Sequence, residues 1–445
     1  MSISFSTVNT NINTSIANMI NYNTNIATGL TTSSTITLSA TSPSTHVISN
    51  HLAISTLTLP SSTSIGSIYT ITNAGTTQAN GYLSYNRVVE VRDGKATGPG
   101  SLARLFPRDS LTAISLSATP SKPSDFAYII KRYAGKPSYP TSWTSRAFGS
   151  SPTFQGIAWA PQLGLFCAVN NNQSGARAWT SPNGRNWTSR ASAADNNWTS
   201  ITWSPELGLF CSVASTGTGN RVMTSPDGIT WTTRASAADN TWNAIAWAPE
   251  LGLFCAVASS GTGNRVMTSP DGINWTTRAN AVDNNWNALT WAPELGLFCA
   301  VASSGTGNRV MTSPDGINWT TRANAADNNW NALTWAPELG IFCAVASSGT
   351  GNRVMTSPDG INWTTRTSAG DTSYSSIVWA SESGIFVKAS SSFGTGYVGI
   401  SSDGFSWTTQ LFPSNQVSGI AWSPELNTFC ASSQGGTGRA VSSDW

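Results

Sequence analysis

Ser313-Pro314-Asp315-Gly316-Ile317-Asn318-Trp319-Thr320-Thr321-Arg322 is one copy of a ten-residue run that returns along the chain at a fixed interval. The arginines closing successive copies are Arg146, Arg190, Arg234, Arg278, Arg322 and Arg366, and the next step falls on Gln410, so the period is 44 residues. Equal spacing sustained this far means one supersecondary unit repeated, and it decides the fold before any local reading. Near-identical units also carry near-identical surfaces. The chain therefore presents one kind of site several times and does not assemble a single asymmetric centre.

One unit, residues 279–322, reads as four short strands. Asn287 to Trp291 is followed by the turn Ala-Pro-Glu-Leu-Gly, and Leu297 to Ala302 is apolar on both faces, as a fully buried strand must be. A glycine-rich loop leads to the strand Arg309 to Ser313, and the Pro-Asp-Gly turn leads to Trp319–Arg322. Four strands in 40–50 residues match a propeller blade. Six full units run from Ala147 to Gln410, leaving a 35-residue remainder that stops where a fourth strand is due. The missing strand is supplied from the other end by Thr141-Ser-Trp-Thr-Ser-Arg146. The expected fold is all-β: a seven-bladed propeller of four-stranded blades, the last split three plus one, preceded by a small β-rich N-terminal domain. Such closure removes exposed sheet edges.

Of the 445 residues only 10% are charged. Residues 1–137 carry nine Lys/Arg against four Asp/Glu, and 138–445 carry fourteen against seventeen, too sparse a basic density for a nucleic-acid footprint. No run of 18 apolar residues predicts a membrane helix, and the first residues lack the pattern of a secretory signal. The six cysteines occupy one repeated position, too far apart between units for disulfides, and are expected to be buried free thiols.

The repeated run resembles the Asp-box, Ser-x-Asp-Gly-x-x-Trp, of bacterial neuraminidase repeats. Its landmark residues are Asp227 and Trp231, Asp271 and Trp275, Asp315 and Trp319, Asp359 and Trp363, and Asp403 and Trp407, with Asn183 replacing Asp in the first copy. The resemblance covers about 300 residues and implies a structural role: the carboxylate accepts backbone N–H groups, Gly supplies the turn's φ, and Trp packs beneath. Asp-box propellers include sialidases, sorting receptors, assembly factors and viral surface proteins, so the resemblance leaves function open.

In a blade whose strands run outward, the loop after strand two and the link to the next blade share one rim. That rim carries Arg221, Arg265, Arg309 and Arg353 from the glycine-rich loops. From the links it carries Asp195, Asn196 and Trp198, Asp239 and Trp242, Asp283 and Trp286, and Asp327 and Trp330. Carboxylates, amides, guanidiniums and an indole platform suit sugars. The same Asp and Arg also suit a ring of ion pairs tying blades together, with Trp wedged between them. A retaining sialidase implies a Tyr nucleophile with a carboxylate partner. Here the propeller's glutamates all fall in the first turn, on the other rim, and its tyrosines are Tyr139, Tyr374 and Tyr397. Blade six departs most, with Asp371, Tyr374, Lys388 and Tyr397. No enzyme activity, cofactor or metal is expected.

Residues 1–34 read as a polar tether or a short coiled coil through Ile12, Ile16, Met19, Asn23, Ile26 and Leu30, and 35–137 as a β-rich attachment or oligomerisation domain. The stretch from Leu57 to Asn73 resembles small β domains of phage and large-virus fibres. The leading expectation is a non-enzymatic virion-surface protein, extracellular after host lysis, whose 138–445 propeller binds glycans or a host receptor. Residues 1–137 would hold other virion proteins or form a homo-oligomer, a trimer by the fibre resemblance, with no nucleic acid bound and no membrane insertion. The alternatives are a protein-docking scaffold and an atypical glycosidase.

Overall fold

The alternation of apolar runs and turn residues becomes four antiparallel strands in every unit. In the computed structural model, residues 286–322 form Trp286–Ala292, Leu297–Ala302, Val310–Ser313 and Thr320–Arg322, hydrogen-bonded in that order. The second strand is buried along nearly its whole length, whereas Thr320 and Thr321 of the fourth lie exposed. Trp286 joins the first strand, and Trp319 leaves the fourth because its indole N–H donates back to the turn at Gly316 O, 3.1 Å.

The structure describes residues 139–444 except 148–149, 392–395, 414–415 and 435–437; within 1–138 it describes only the backbone of ten strands. Two units divide the chain, Met1–Ala134 and Gly135–Trp445. In the first, the strands make a six-stranded and a four-stranded sheet. Nine of them lie between Ser34 and Lys131, from Ser34–Thr37 to Phe126–Lys131. The heptad-like positions from Ile12 to Leu30 fall outside the described residues.

In the second unit seven four-stranded sheets close into a ring. Blades one to six occupy 154–190, 198–234, 242–278, 286–322, 330–366 and 374–412. Blade seven takes three strands from 417–444 and its outer strand from Ser142–Ala147, which pairs antiparallel with Gly438–Asp444, Ser145 facing Val441. The first strands pack side by side around the axis, blade seven's against blade one's. Side chains two residues into these strands tie each to the next: Asn243 Nδ2 donates to Trp286 O (2.9 Å), Asn287 to Trp330 O (3.0 Å), and Ser418 Oγ to Phe154 O (2.6 Å), the last across the seam.

The core lies between blades. Trp286 packs with Cys255, Val257 and Val266 of blade three and with Phe298, Ala300 and Met311 of its own blade. All six cysteines are buried and unpaired, and burial pushes their thiols well up from the ordinary range.

Candidate functional site

The rim singled out by the sequence does bring its residues together. Arg309 Nε donates to Gly305 O at 2.8 Å, and its Nη1 donates to Ser303 O and Asn328 O, both at 2.9 Å. Its Nε stands 3.7 Å from Asp327 Oδ1, which also accepts from Gly307 N (2.8 Å) and Asn324 Nδ2 (2.9 Å). Blades two, three and five repeat this as Arg221–Asp239, Arg265–Asp283 and Arg353–Asp371, at 3.6, 3.6 and 3.7 Å. Asp195 pairs with Arg177 at 3.8 Å. Each arginine therefore binds the aspartate 18 positions later, in the link leaving its own blade. Arg177 and Asp371 complete the set, as counting one period back from Arg221 and one forward from Asp327 would have shown.

These contacts consume most of the chemistry. The arginine side chains are only 13–15% exposed, the aspartates 37–41% in the same four pairs. Hydrogen bonds, first from Asn280 and then from Gly263 N–H, hold Asp283 below the ordinary carboxylate range, and Gly307 N–H leads for Asp327. Asn196, read as a ligand-binding amide, is buried and donates to Asn220 O at 2.8 Å. The four tryptophans are corrected outright. Trp198, Trp242, Trp286 and Trp330 are 0% exposed, with indole N–H groups donating to Ala194, Ala238, Val282 and Ala326 carbonyls at 3.0–3.1 Å. An indole wedged between blades offers no face to a sugar. The Asp and Arg do form ion pairs, as in the structural alternative, but each pair joins a loop to the link leaving the same blade and not one blade to another.

The opposite rim holds the Ser-x-Asp-Gly turns. Asp315 Oδ1 accepts from Ile317 N and Asn318 N, both 2.8 Å, and from Ser313 Oγ at 3.0 Å. Gly316 takes φ 72°, which strains any other residue, and a Cβ there would press on Leu253 Cδ2 at 3.1 Å. Asp227, Asp271, Asp359 and Asp403 are held likewise, over Trp231, Trp275, Trp363 and Trp407. Burial raises the Asp315 carboxyl, but the Asn318 and Ile317 hydrogen bonds outweigh it and bring it down to about 2, as in Asp271 and Asp359. Because the folded pKa is depressed, this stabilisation is present above the unfolded value near 4 and is lost as pH falls towards 2. Blade one shows that charge is dispensable here: Asn183 Oδ1 accepts from Arg185 N and Asn186 N at 2.9 Å. Asp315→Ala is expected to cost about 1–2 kcal/mol, as loss of a capping side chain does, and Asp315→Asn less than half of that. Urea midpoints at pH 7 decide it, and equal losses would refute the turn's role.

The same rim carries a ring of bonds that the sequence reading did not anticipate. The first-strand tryptophan of each blade donates to the first-turn acceptor of the blade before it: Trp247 to Glu206 (2.6 Å), Trp291 to Glu250 (2.7 Å), Trp335 to Glu294 (2.7 Å) and Trp159 to Glu425 (2.7 Å) across the seam. In blade one the acceptor is Gln162, bonded to Trp203 at 2.7 Å. Beside every first-turn glutamate except Glu382 stands an exposed leucine such as Leu251 or Leu295, and four of the Asp-Gly turns expose an isoleucine such as Ile273 or Ile317, the fifth exposing Phe405.

Blade six breaks the repeat. Where blades three to five set Ala opposite Met, as Ala344 faces Met355, it sets Lys388 opposite Gly399. Lys388 is fully buried, its Nζ 2.6 Å from Ser368 O and 4.0 and 4.3 Å from the Tyr374 and Trp407 ring centres. Desolvation lowers its pKa to about 7. Tyr374, itself buried, donates its hydroxyl to Ser368 O and Gly370 O. Among the described residues no three His, Cys, Asp or Glu gather as a metal site would require.

No family model matches the chain. No curated protein matches it either. Solved structures do. Virginiamycin B lyase from Staphylococcus aureus aligns with a TM-score of 0.57 at 11% identity, over 68% of this chain and 97% of its own. A structure of the mitotic checkpoint complex gives 0.52 at 14%, over 69% and 91%. A β-propeller domain from Myceliophteria thermophila gives 0.51 at 12%, over 69% and 99%. At such identities the likeness shows the fold alone, so what the chain is similar to is a set of propellers that differ in what they do.

Proposed function

We propose that this chain is a non-enzymatic scaffold whose propeller docks another polypeptide, carried on a surface-exposed protein of fibre-like layout with residues 1–137 as its attachment part. One observation carries the docking reading. Of the fourteen large apolar side chains exposed among the described residues, all but Tyr139, Tyr397 and Leu411 stand on the rim of the Asp-Gly turns. Apolar groups repeated around one face of a rigid ring mark an interaction surface. Affinity purification with the intact protein is expected to recover one stoichiometric polypeptide, lost when Leu207, Leu251 and Leu295 are changed together to serine. Equal recovery by that variant would refute the reading.

The second reading is glycan binding at the other rim. It is favoured by the repeated aspartates, each about two-fifths exposed in blades two to five, which leave carboxylate oxygens for sugar hydroxyls in several equivalent places. Without an aromatic platform each site is weak. A glycan array probed with the intact protein tests it: binding abolished by Asp283→Asn/Asp327→Asn supports this reading, and binding unaffected by that change removes it.

A further inference from the structure

We propose that the partner of the Asp-Gly rim is a cationic amphipathic polypeptide, one that sets Lys or Arg beside apolar side chains. The proposal rests on the docking reading above and adds the chemistry of what docks. Its basis is the way the ring partitions charge. On the loop-and-link rim five aspartates are matched by five arginines, pair by pair. On the Asp-Gly rim the five turn aspartates and six first-turn glutamates face one turn cation, Arg185. The arginines closing the fourth strands are bound within their own blades, and Arg366 also reaches this rim. Arg234, Arg278, Arg322 and Arg366 are each held by a third-strand threonine hydroxyl at 2.8–2.9 Å, and Arg366 lies over the Phe405 ring at 4.2 Å.

The inner circle is therefore acidic and apolar at once. Glu206, Glu250 and Glu294 are exposed, and each is followed by an exposed leucine, Leu207, Leu251 or Leu295, at 41–44%. Each glutamate is steered by the indole of the following blade, so its carboxylate is already oriented at no further entropic cost. Among the described residues, eleven exposed apolar side chains make up the two circles. A second copy docked rim to rim would set carboxylates against carboxylates, and an anionic lipid surface would meet the same repulsion. A partner with interleaved cations and apolar groups satisfies both features.

The test uses the intact protein and three fluorescent 14-residue peptides: one of Leu and Lys in amphipathic order, one with Glu for every Lys, one with Ser for every Leu. By anisotropy the Leu/Lys peptide is expected to bind at least tenfold more tightly than either control. Affinity should fall at least tenfold in Leu207→Ser/Leu251→Ser/Leu295→Ser. It should also fall, with a flatter salt dependence, in Glu206→Gln/Glu250→Gln/Glu294→Gln. The glutamine variant keeps the indole acceptor, as Gln162 does, so its melting temperature should not change. Loss in the serine variant with no loss in the glutamine variant would leave docking standing and overturn the cationic partner. No loss in the serine variant would overturn both. A reversible dimer in sedimentation that the serine changes abolish would assign the rim to a second copy and overturn the proposal.

Discussion

Trp143→Ala is expected to lower the stability of the propeller by about 3–5 kcal/mol, the usual cost of truncating a buried large aromatic. The indole is 8% exposed, its ring centre 5.1 Å from that of Phe412 and 5.9 Å from that of Phe429, and its N–H donates to Gln410 Oε1 at 3.1 Å. Trp231→Ala makes the informative comparison, because Trp231 holds the same position in blade two with the same exposure. Both variants lose one indole. Only the first loosens Ser142–Ala147, the strand that joins the two ends of the ring and covers the edge of blade seven. An uncovered edge strand costs hydrogen bonds and invites pairing with other chains. Trp143→Ala should therefore melt lower than Trp231→Ala and open first to protease within 417–444. Equal melting temperatures and equal digestion would mean that the seam contributes nothing beyond its packing.

Lys388→Met is expected to do the reverse and stabilise the protein, by about 3–5 kcal/mol at pH 6 and by little at pH 10.5. In the unfolded chain the lysine holds its proton up to about 10.5; in the fold, desolvation brings that value to about 7. Between these values the unfolded state binds one more proton at this site, so the penalty that Lys388 imposes on the fold shrinks as pH rises across the window. Below 7 both states are protonated and the penalty is full. Methionine fills about the same volume, and blades two to five place one there from the opposite strand, so the change removes the charge without opening a cavity. Lys388→Ala/Gly399→Met rebuilds the pairing of blades three to five and should behave alike. The facing groups that titrate, Tyr374 and Cys343, are both raised by burial, Cys343 to about 12, so neither ionises in the fold across this range, and the ionisation of the unfolded thiols is common to both proteins and cancels in the difference between them. Chemical denaturation across pH 6–10.5 reads the outcome directly. A gain that is absent at pH 6, or the same at every pH, would show that Lys388 is not buried as a charge.

Much of the candidate site was legible from spacing, and the rest was not for a definite reason. The period placed Arg309 and Asp327 on one rim, because strand direction alternates and loops of equal rank must share a side. Whether Arg309 binds that aspartate or the one in the preceding link depended on how far the guanidinium reaches, and the short loop at Gly305 carries it only to the link leaving its own blade. The tryptophan of Asp-Asn-Asn-Trp reads equally well as a platform or a wedge, since an indole is amphipathic. Its fate rests on the neighbouring blade, whose Cys255, Val257 and Val266 make a better cover than water.

By itself the sequence determined the number of blades, the split seventh sheet, the two rims and the Asp-Gly turn, because each of these follows from a covalent period of 44 residues and local turn chemistry. Tertiary structure alone decided which polar groups are spent on the ring and which face outward. Trp291 finds Glu250 across 41 residues, and Lys388 fits because Gly399 opposite it has no side chain. Such matches arise only when neighbouring sheets are pressed together and water is excluded between them, and no reading along a single strand contains that.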